Sequence, residues 1–146
     1  LEGTGAPQPI RVSSTTDASA ARFCESVESG HSAHGASADI ARRLNITASP
    51  IRLDSQAKYA VLAAGGAELL MRLLNPGKES YKECIWDQAA GAILLEEAGG
   101  RISDLRGKPL DFSAGRKLVN NTGVLASNGI LHAAALQAVR MVLTFP

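Results

Sequence analysis

Trp86-Asp87-Gln88-Ala89-Ala90-Gly91, running on through Ala92-Ile93-Leu94-Leu95-Glu96 to Glu97-Ala98-Gly99-Gly100, is the most informative part of the chain. Ala89, Ala90, Ile93, Leu94 and Glu97 recur at helical spacing, Ala and Leu favour a helix, and Gly99-Gly100 supplies a left-handed stop. The segment predicts one helix with a lone carboxylate, Asp87, at its mouth. Backbone N–H groups and the positive end of the helix dipole point outward there, which suits a phosphate and a hard cation bridging to it. Taken alone, an Asp-x-Ala-Ala segment reads first as an Asp that merely caps its helix.

Outward from that helix, elements alternate. Residues 1–9 are a Gly/Pro-rich lead-in, and Ile10-Arg11-Val12-Ser13 reads as a short strand. Asp17 is placed to cap a helix over about 18–27 with Ala21 and Cys24 inward, and 30–38 reads as a loop carrying His31 and His34. A short helix over 38–44 follows. Pro50-Ile51-Arg52-Leu53 is the second strand and hands over directly to a helix over 55–64, with Ala57, Ala60, Val61 and Ala64 as its stripe. Glu68-Leu69-Leu70-Met71-Arg72-Leu73-Leu74 is a third strand, apolar enough to be covered on both faces. Strands at Arg101-Ile102-Ser103 and Gly123-Val124-Leu125-Ala126 and a closing helix over 131–142 complete the chain. The pattern predicts an α/β fold with a mixed, largely parallel sheet flanked by helices.

The 146 residues, 45% hydrophobic and 20% charged, make one globular domain large enough for a core. A net charge of +1 argues against nucleic acid or a membrane surface as partner, so any phosphate must be met by a few placed cations. Cys24 and Cys84 form neither a disulfide framework nor a metal-binding spacing. No stretch has the length of a membrane span, and the first residues lack an initiator Met and a signal core. The expected setting is soluble and intracellular, with the compartment left open.

The Trp-Asp-x-Ala-Ala-Gly…Glu-Ala-Gly-Gly run resembles the C-terminal signature of the lithium-sensitive, magnesium-dependent phosphatases that include inositol monophosphatase. Three further stretches are similar to the 3'(2'),5'-bisphosphate nucleotidase branch: Cys24-Glu25-Ser26-Val27-Glu28-Ser29-Gly30-His31-Ser32-Ala33-His34, Leu53-Asp54-Ser55-Gln56-Ala57-Lys58-Tyr59 and Pro109-Leu110-Asp111-Phe112. That branch removes the 3'-phosphate of adenosine 3',5'-bisphosphate. The resemblance spans roughly residues 10–140, while the family's N-terminal Asp-x-Ile-Asp-Gly-Thr/Ser metal motif is nowhere in the chain. It therefore implies that 10–146 is the C-terminal domain of such an enzyme, with the N-terminal metal-binding domain absent.

On that resemblance Asp87 is a magnesium ligand, completing a cluster whose other carboxylates lie in the absent domain, and no further catalytic residue lies in this chain. His31, Ser55, Lys58 and Arg72 are the implied nucleotide contacts, with His34 a weaker one because Gly35-Ala36 replaces the acidic residue expected there. From the residues alone, Ser55 and Lys58 are three apart at the start of a helix and read as a cap and a solvated cation. Arg72, inside an apolar strand, requires a partner, either a structural carboxylate or a substrate phosphate or ribose. Trp86 reads as a packing anchor, and Glu96 and Glu97 as structural or solvated. Alternatives within reach of the sequence are an inositol phosphate phosphatase of the same superfamily, or a truncated, non-catalytic nucleotide- or protein-binding module.

Overall fold

The computed structural model describes residues 6, 8–27, 33–75, 77–78 and 80–145. Five strands, β1 (Phe23–Glu25), β2 (Ile51–Arg52), β3 (Leu69–Arg72), β4 (Arg101–Ser103) and β5 (Val124–Ser127), form one sheet in the order β2-β1-β3-β5-β4. The β1–β2 and β1–β3 pairings are parallel, and β3–β5 and β4–β5 antiparallel, so the sheet is mixed as expected. Four helices flank it: α1 (His34–Arg43), α2 (Ala57–Ala63), α3 (Ala89–Glu97) and α4 (His132–Val142).

Strand alternation sorts the core into two halves. Cys24, Leu70, Ala126 and Ile102 lie in register across four strands and pack beneath α2 and α3 with Tyr59, Leu62, Leu95 and Ala98. Phe23, Leu69, Met71 and Leu125 point the other way, against Ile40 of α1 and Ala135, Ala138 and Val139 of α4. The near-continuous apolar run of β3 is thus explained by burial on both faces, as its composition predicts.

Several local expectations are corrected. Asp17 caps only a 3₁₀ turn, Ala18–Ala20, by accepting from the Ser19 backbone N–H at 2.9 Å. Beyond it the expected 18–27 helix gives way to the short strand β1, Phe23–Glu25. Glu68 diverts the chain by taking the Arg22 N–H at 2.7 Å and the Thr15 hydroxyl at 3.1 Å, and Phe23-Cys24 then insert beside β3. Ladder pairing there overrides the helix propensity of the alanines. Ile10–Ser13 is not a strand, although Val12 donates its N–H to Ala98 at 3.1 Å.

Helices α2 and α3 exist where expected, but each turns to the core the face roughly opposite the expected stripe. The buried stripe of α2 is Lys58, Tyr59, Leu62 and Ala63, and that of α3 is Gly91, Ala92 and Leu95, continued by Gln88 and Ala98 at its ends. Size, not hydrophobicity, chose these faces. A Cβ on Gly91 would fall on the ring of Tyr59, so α3 meets α2 through the one position that allows the ring so close. The helix stops as predicted: Gly99 takes φ +90°, its N–H reaches Glu96, and the Gly100 N–H reaches Leu95, both at 2.9 Å, which is a Schellman closure.

One buried polar unit was not foreseen. His132, fully buried at the start of α4, places Nε2 2.9 Å from the Ser103 hydroxyl on β4 and Nδ1 2.9 Å from the Ser127 hydroxyl on β5. Burial, reinforced by the charge of Arg101, pushes its pKa down to about 4. The unfolded chain therefore binds this proton first as pH falls. The contribution of His132 is complete above about pH 6.5 and declines toward pH 4, by up to about 3 kcal/mol. Urea unfolding between pH 7.5 and 4.5 should show this loss, and a His132→Gln variant should flatten that part of the curve.

Candidate functional site

The parallel strands set the site. The chain leaves the carboxyl ends of β1 and β2 and follows helices to opposite faces of the sheet, α1 to one and α2 to the other. A crevice opens outside such strand ends. Here it is a cavity of about 480 Å³ lined by Ser26 after β1, Asp54, Ser55 and Gln56 after β2, Arg72 at the end of β3, Lys58 and Tyr59 of α2, and Tyr81, Asp87 and Gln88 before α3. Four of the five residues singled out from sequence, Ser55, Lys58, Arg72 and Asp87, are brought together there. The fifth, His31, lies outside the described residues. His34 opens α1 and sets its Nε2 3.2 Å from the Ser26 carbonyl oxygen.

Ser55 adopts φ +65°, a left-handed conformation at the strand-to-helix junction, and its hydroxyl accepts the Ala57 N–H at 3.2 Å. That kink directs the Ser55 carbonyl at Lys58, whose ammonium donates to it at 3.0 Å. Lys58 is buried, not solvated, at 6% exposure. Its pKa is held below the ordinary lysine value first by desolvation and then by the charge of Arg72, against the opposing pull of Asp54, Cys24 and Glu83. Two cations thus share one concave, poorly hydrated space, an arrangement that an anion would relieve.

Arg72 has the carboxylate partner that its place in an apolar strand demands. Glu83, 5% exposed, accepts from Arg72 Nε at 3.3 Å and Nη2 at 3.4 Å. Glu83 also accepts from the Gln88 amide at 2.8 Å, and the Gln88 oxygen receives the Tyr59 hydroxyl proton at 2.5 Å. Burial, assisted by the Glu83 charge, pushes the Tyr59 phenol well above its ordinary pKa, so the phenol remains a donor. Sequence reasoning missed Glu83, Gln88 and Tyr59. The one available signal was the demand of Arg72 for a counter-charge.

Asp87 ends a 3₁₀ turn, Ile85–Asp87, two residues ahead of α3 rather than standing on the first turn itself. The helix mouth is partly taken: the Gln56 side chain accepts the Gly91 N–H at 2.7 Å and donates to the Trp86 carbonyl at 2.9 Å, tying α2 to α3. Asp87 does not cap α3 with its side chain, which leaves an exposed carboxylate facing the cavity. Trp86 is half-exposed beneath the guanidinium of Arg116, 5.2 Å from the ring centre, rather than anchored in this domain's core.

A hard divalent cation takes carboxylate oxygens, and Asp87 is of that kind. Asp54 opens on the same cavity, with one oxygen already accepting the Val27 N–H at 3.2 Å. Among the described residues, no three His, Cys, Asp or Glu side chains converge to hold a metal ion. The donor set therefore fits a contribution to a metal site. Cys24 takes no part in the cavity: it is buried in the core, with burial pushing its thiol up to about 11.

The model of the inositol monophosphatase family matches residues 1–143. The chain belongs to the inositol monophosphatase family. Within it, the chain is 48% identical over 121 residues to a 3'(2'),5'-bisphosphate nucleotidase of Schizosaccharomyces pombe, covering 83% of this chain and 34% of the relative. It is 44% identical over 140 residues to 3',5'-bisphosphate nucleotidase 2 of Arabidopsis thaliana, covering 96% of this chain and 39% of the relative. The chain thus spans between a third and two fifths of the length of these relatives. The Thermotoga maritima IMPase superposes with a TM-score of 0.67 at 22% identity, over 91% of this chain and 45% of that one. An inositol monophosphatase from Anabaena gives 0.65 at 24% identity, over 93% and 49%. These structural likenesses carry the inositol monophosphatase-family fold. No helix among the described residues is long and apolar enough to cross a membrane.

Proposed function

We propose that this chain is the C-terminal part of a magnesium-dependent 3'(2'),5'-bisphosphate nucleotidase, hydrolysing the 3'-phosphate of adenosine 3',5'-bisphosphate to give AMP and phosphate. The observation that carries the reading is the meeting of Lys58, Arg72, Ser55 and Asp87 on one cavity at the carboxyl ends of the parallel strands. Similarity at 44–48% identity to proteins named for bisphosphate nucleotides favours that substrate over an inositol phosphate.

The residues divide the work. Lys58 and Arg72 neutralise phosphate charge, Ser55 shapes the entry to α2 and offers its hydroxyl, and His31 joins them as a nucleotide contact. Asp87 supplies one oxygen ligand to magnesium, and the remaining carboxylates come from an N-terminal domain outside these 146 residues. Bound magnesium supplies Lewis-acid polarisation of the phosphate ester and activation of the attacking water. Low hydration around Lys58 strengthens its pull on the phosphate and costs no reorganisation during the reaction.

Lys58→Ala in the complete enzyme should raise the Michaelis constant for adenosine 3',5'-bisphosphate. A charge-assisted hydrogen bond contributes about 1.5–3 kcal/mol, corresponding to roughly a 10- to 100-fold rise. Steady-state phosphate release reads this directly. An unchanged Michaelis constant would remove Lys58 from the nucleotide site.

A further inference from the structure

The buried polar chain beneath the cavity runs in one direction. A carboxylate only accepts, so Gln88 must present its amide nitrogen to Glu83, and the amide oxygen then faces Tyr59. Tyr59 must donate. Each proton is fixed by the next partner, and the chain ends on Glu83, whose other contact is Arg72. The four residues come from four places: α2, β3, the segment before the 3₁₀ turn, and the head of α3.

The Glu83 backbone is pinned as well. Its carbonyl receives the Leu118 N–H at 2.9 Å, while the following residues are tied by a Cys84–Lys117 bridge and the Ile85 N–H to the Arg116 carbonyl at 3.1 Å. By contrast, the Arg72–Glu83 contacts of 3.3 and 3.4 Å are long for a charged pair, whose usual span is about 2.7–2.9 Å. Glu83 orients the guanidinium without drawing it fully out of the cavity that Arg72 lines.

We propose that Glu83 is a positioning residue: held by Gln88 and Tyr59, it fixes Arg72 for the substrate phosphate and couples that cation to the Asp87 segment. The proposal rests on the nucleotidase reading above. It has a sign that separates it from simple electrostatics. Glu83→Gln keeps the shape but removes a negative charge from beside two cations. A charge effect alone would tighten phosphate binding, whereas loss of positioning weakens it.

The test is steady-state kinetics with adenosine 3',5'-bisphosphate and magnesium on the complete enzyme carrying Glu83→Gln, Arg72→Ala or both. Glu83→Gln is expected to raise KM about tenfold with kcat within about threefold, and to add nothing in the Arg72→Ala background. Glu83→Asp, which keeps the charge one methylene short, should fall between wild type and Glu83→Gln. If Arg72→Ala raises KM while Glu83→Gln leaves it unchanged or lowers it, the positioning role is overturned and the nucleotidase reading stands. If Arg72→Ala has no effect, the assignment of Arg72 to the nucleotide fails first. Should Glu83→Gln not fold, Tyr59→Phe carries the test. Freeing the Gln88 amide should raise KM about threefold, and an unchanged KM in a folded Tyr59→Phe enzyme overturns the proposal.

Discussion

On the proposed function, Asp87→Asn in the complete enzyme is expected to remove turnover of adenosine 3',5'-bisphosphate while the fold is retained. The amide keeps the size and polarity of the side chain but loses the charge that a divalent cation requires. Groups that only support metal ligands are typically worth roughly 10- to 100-fold, so loss of a direct ligand should lower kcat by more than about a hundredfold. Stability should hardly move. The Asp87 side chain is exposed and does not cap α3, and substitutions at such positions usually stay within about ±0.5 kcal/mol. Magnesium-dependent phosphate release and a melting curve on the same preparation check both halves. Normal activity at saturating magnesium would take Asp87 out of the metal site.

Much of the fold was legible because its signals are local and strong. The apolar run of β3, the strand-to-helix handover after β2 and the Gly99-Gly100 stop each stand where the residues placed them. What failed was phase and pairing. Alanine on nearly every side of α2 and α3 left two stripes equally apolar, and Tyr59 against Gly91 chose between them by size. Phe23-Cys24 became strand because β2 and β3 lie on either side, a long-range condition that no window around Asp17 contains.

The site divides along the same line. Ser55, Lys58 and Asp87 stand in short motifs on which this chain resembles its family, Arg72 is marked by its place inside an apolar strand, and the cavity unites them. Lys58 alone would have been misread as a solvated cation. Its burial follows from the left-handed turn at Ser55, which brings a carbonyl to the ammonium. Glu83, Gln88 and Tyr59 belong to no motif and depend on the meeting of separated elements. A buried Arg in an apolar strand signals such a network in advance, but not which carboxylate completes it.

The same division of residues makes the second large prediction. On the proposed reading Asp87, an exposed carboxylate, supplies one metal ligand, and no three metal-ligating side chains converge among the described residues. Residues 1–146 alone should therefore release no phosphate above background. The chain should also tend to associate, since Trp86 in the 3₁₀ turn and Ile93 on α3 are each more than half exposed. Addition of the complementing N-terminal domain, or its restoration in one polypeptide, should bring back lithium-sensitive, magnesium-dependent hydrolysis that Asp87→Asn abolishes. The measurement is phosphate release from adenosine 3',5'-bisphosphate by the purified 146-residue chain with and without that domain. Activity only in its presence is the expected result; robust turnover by residues 1–146 alone would contradict the half-site assignment.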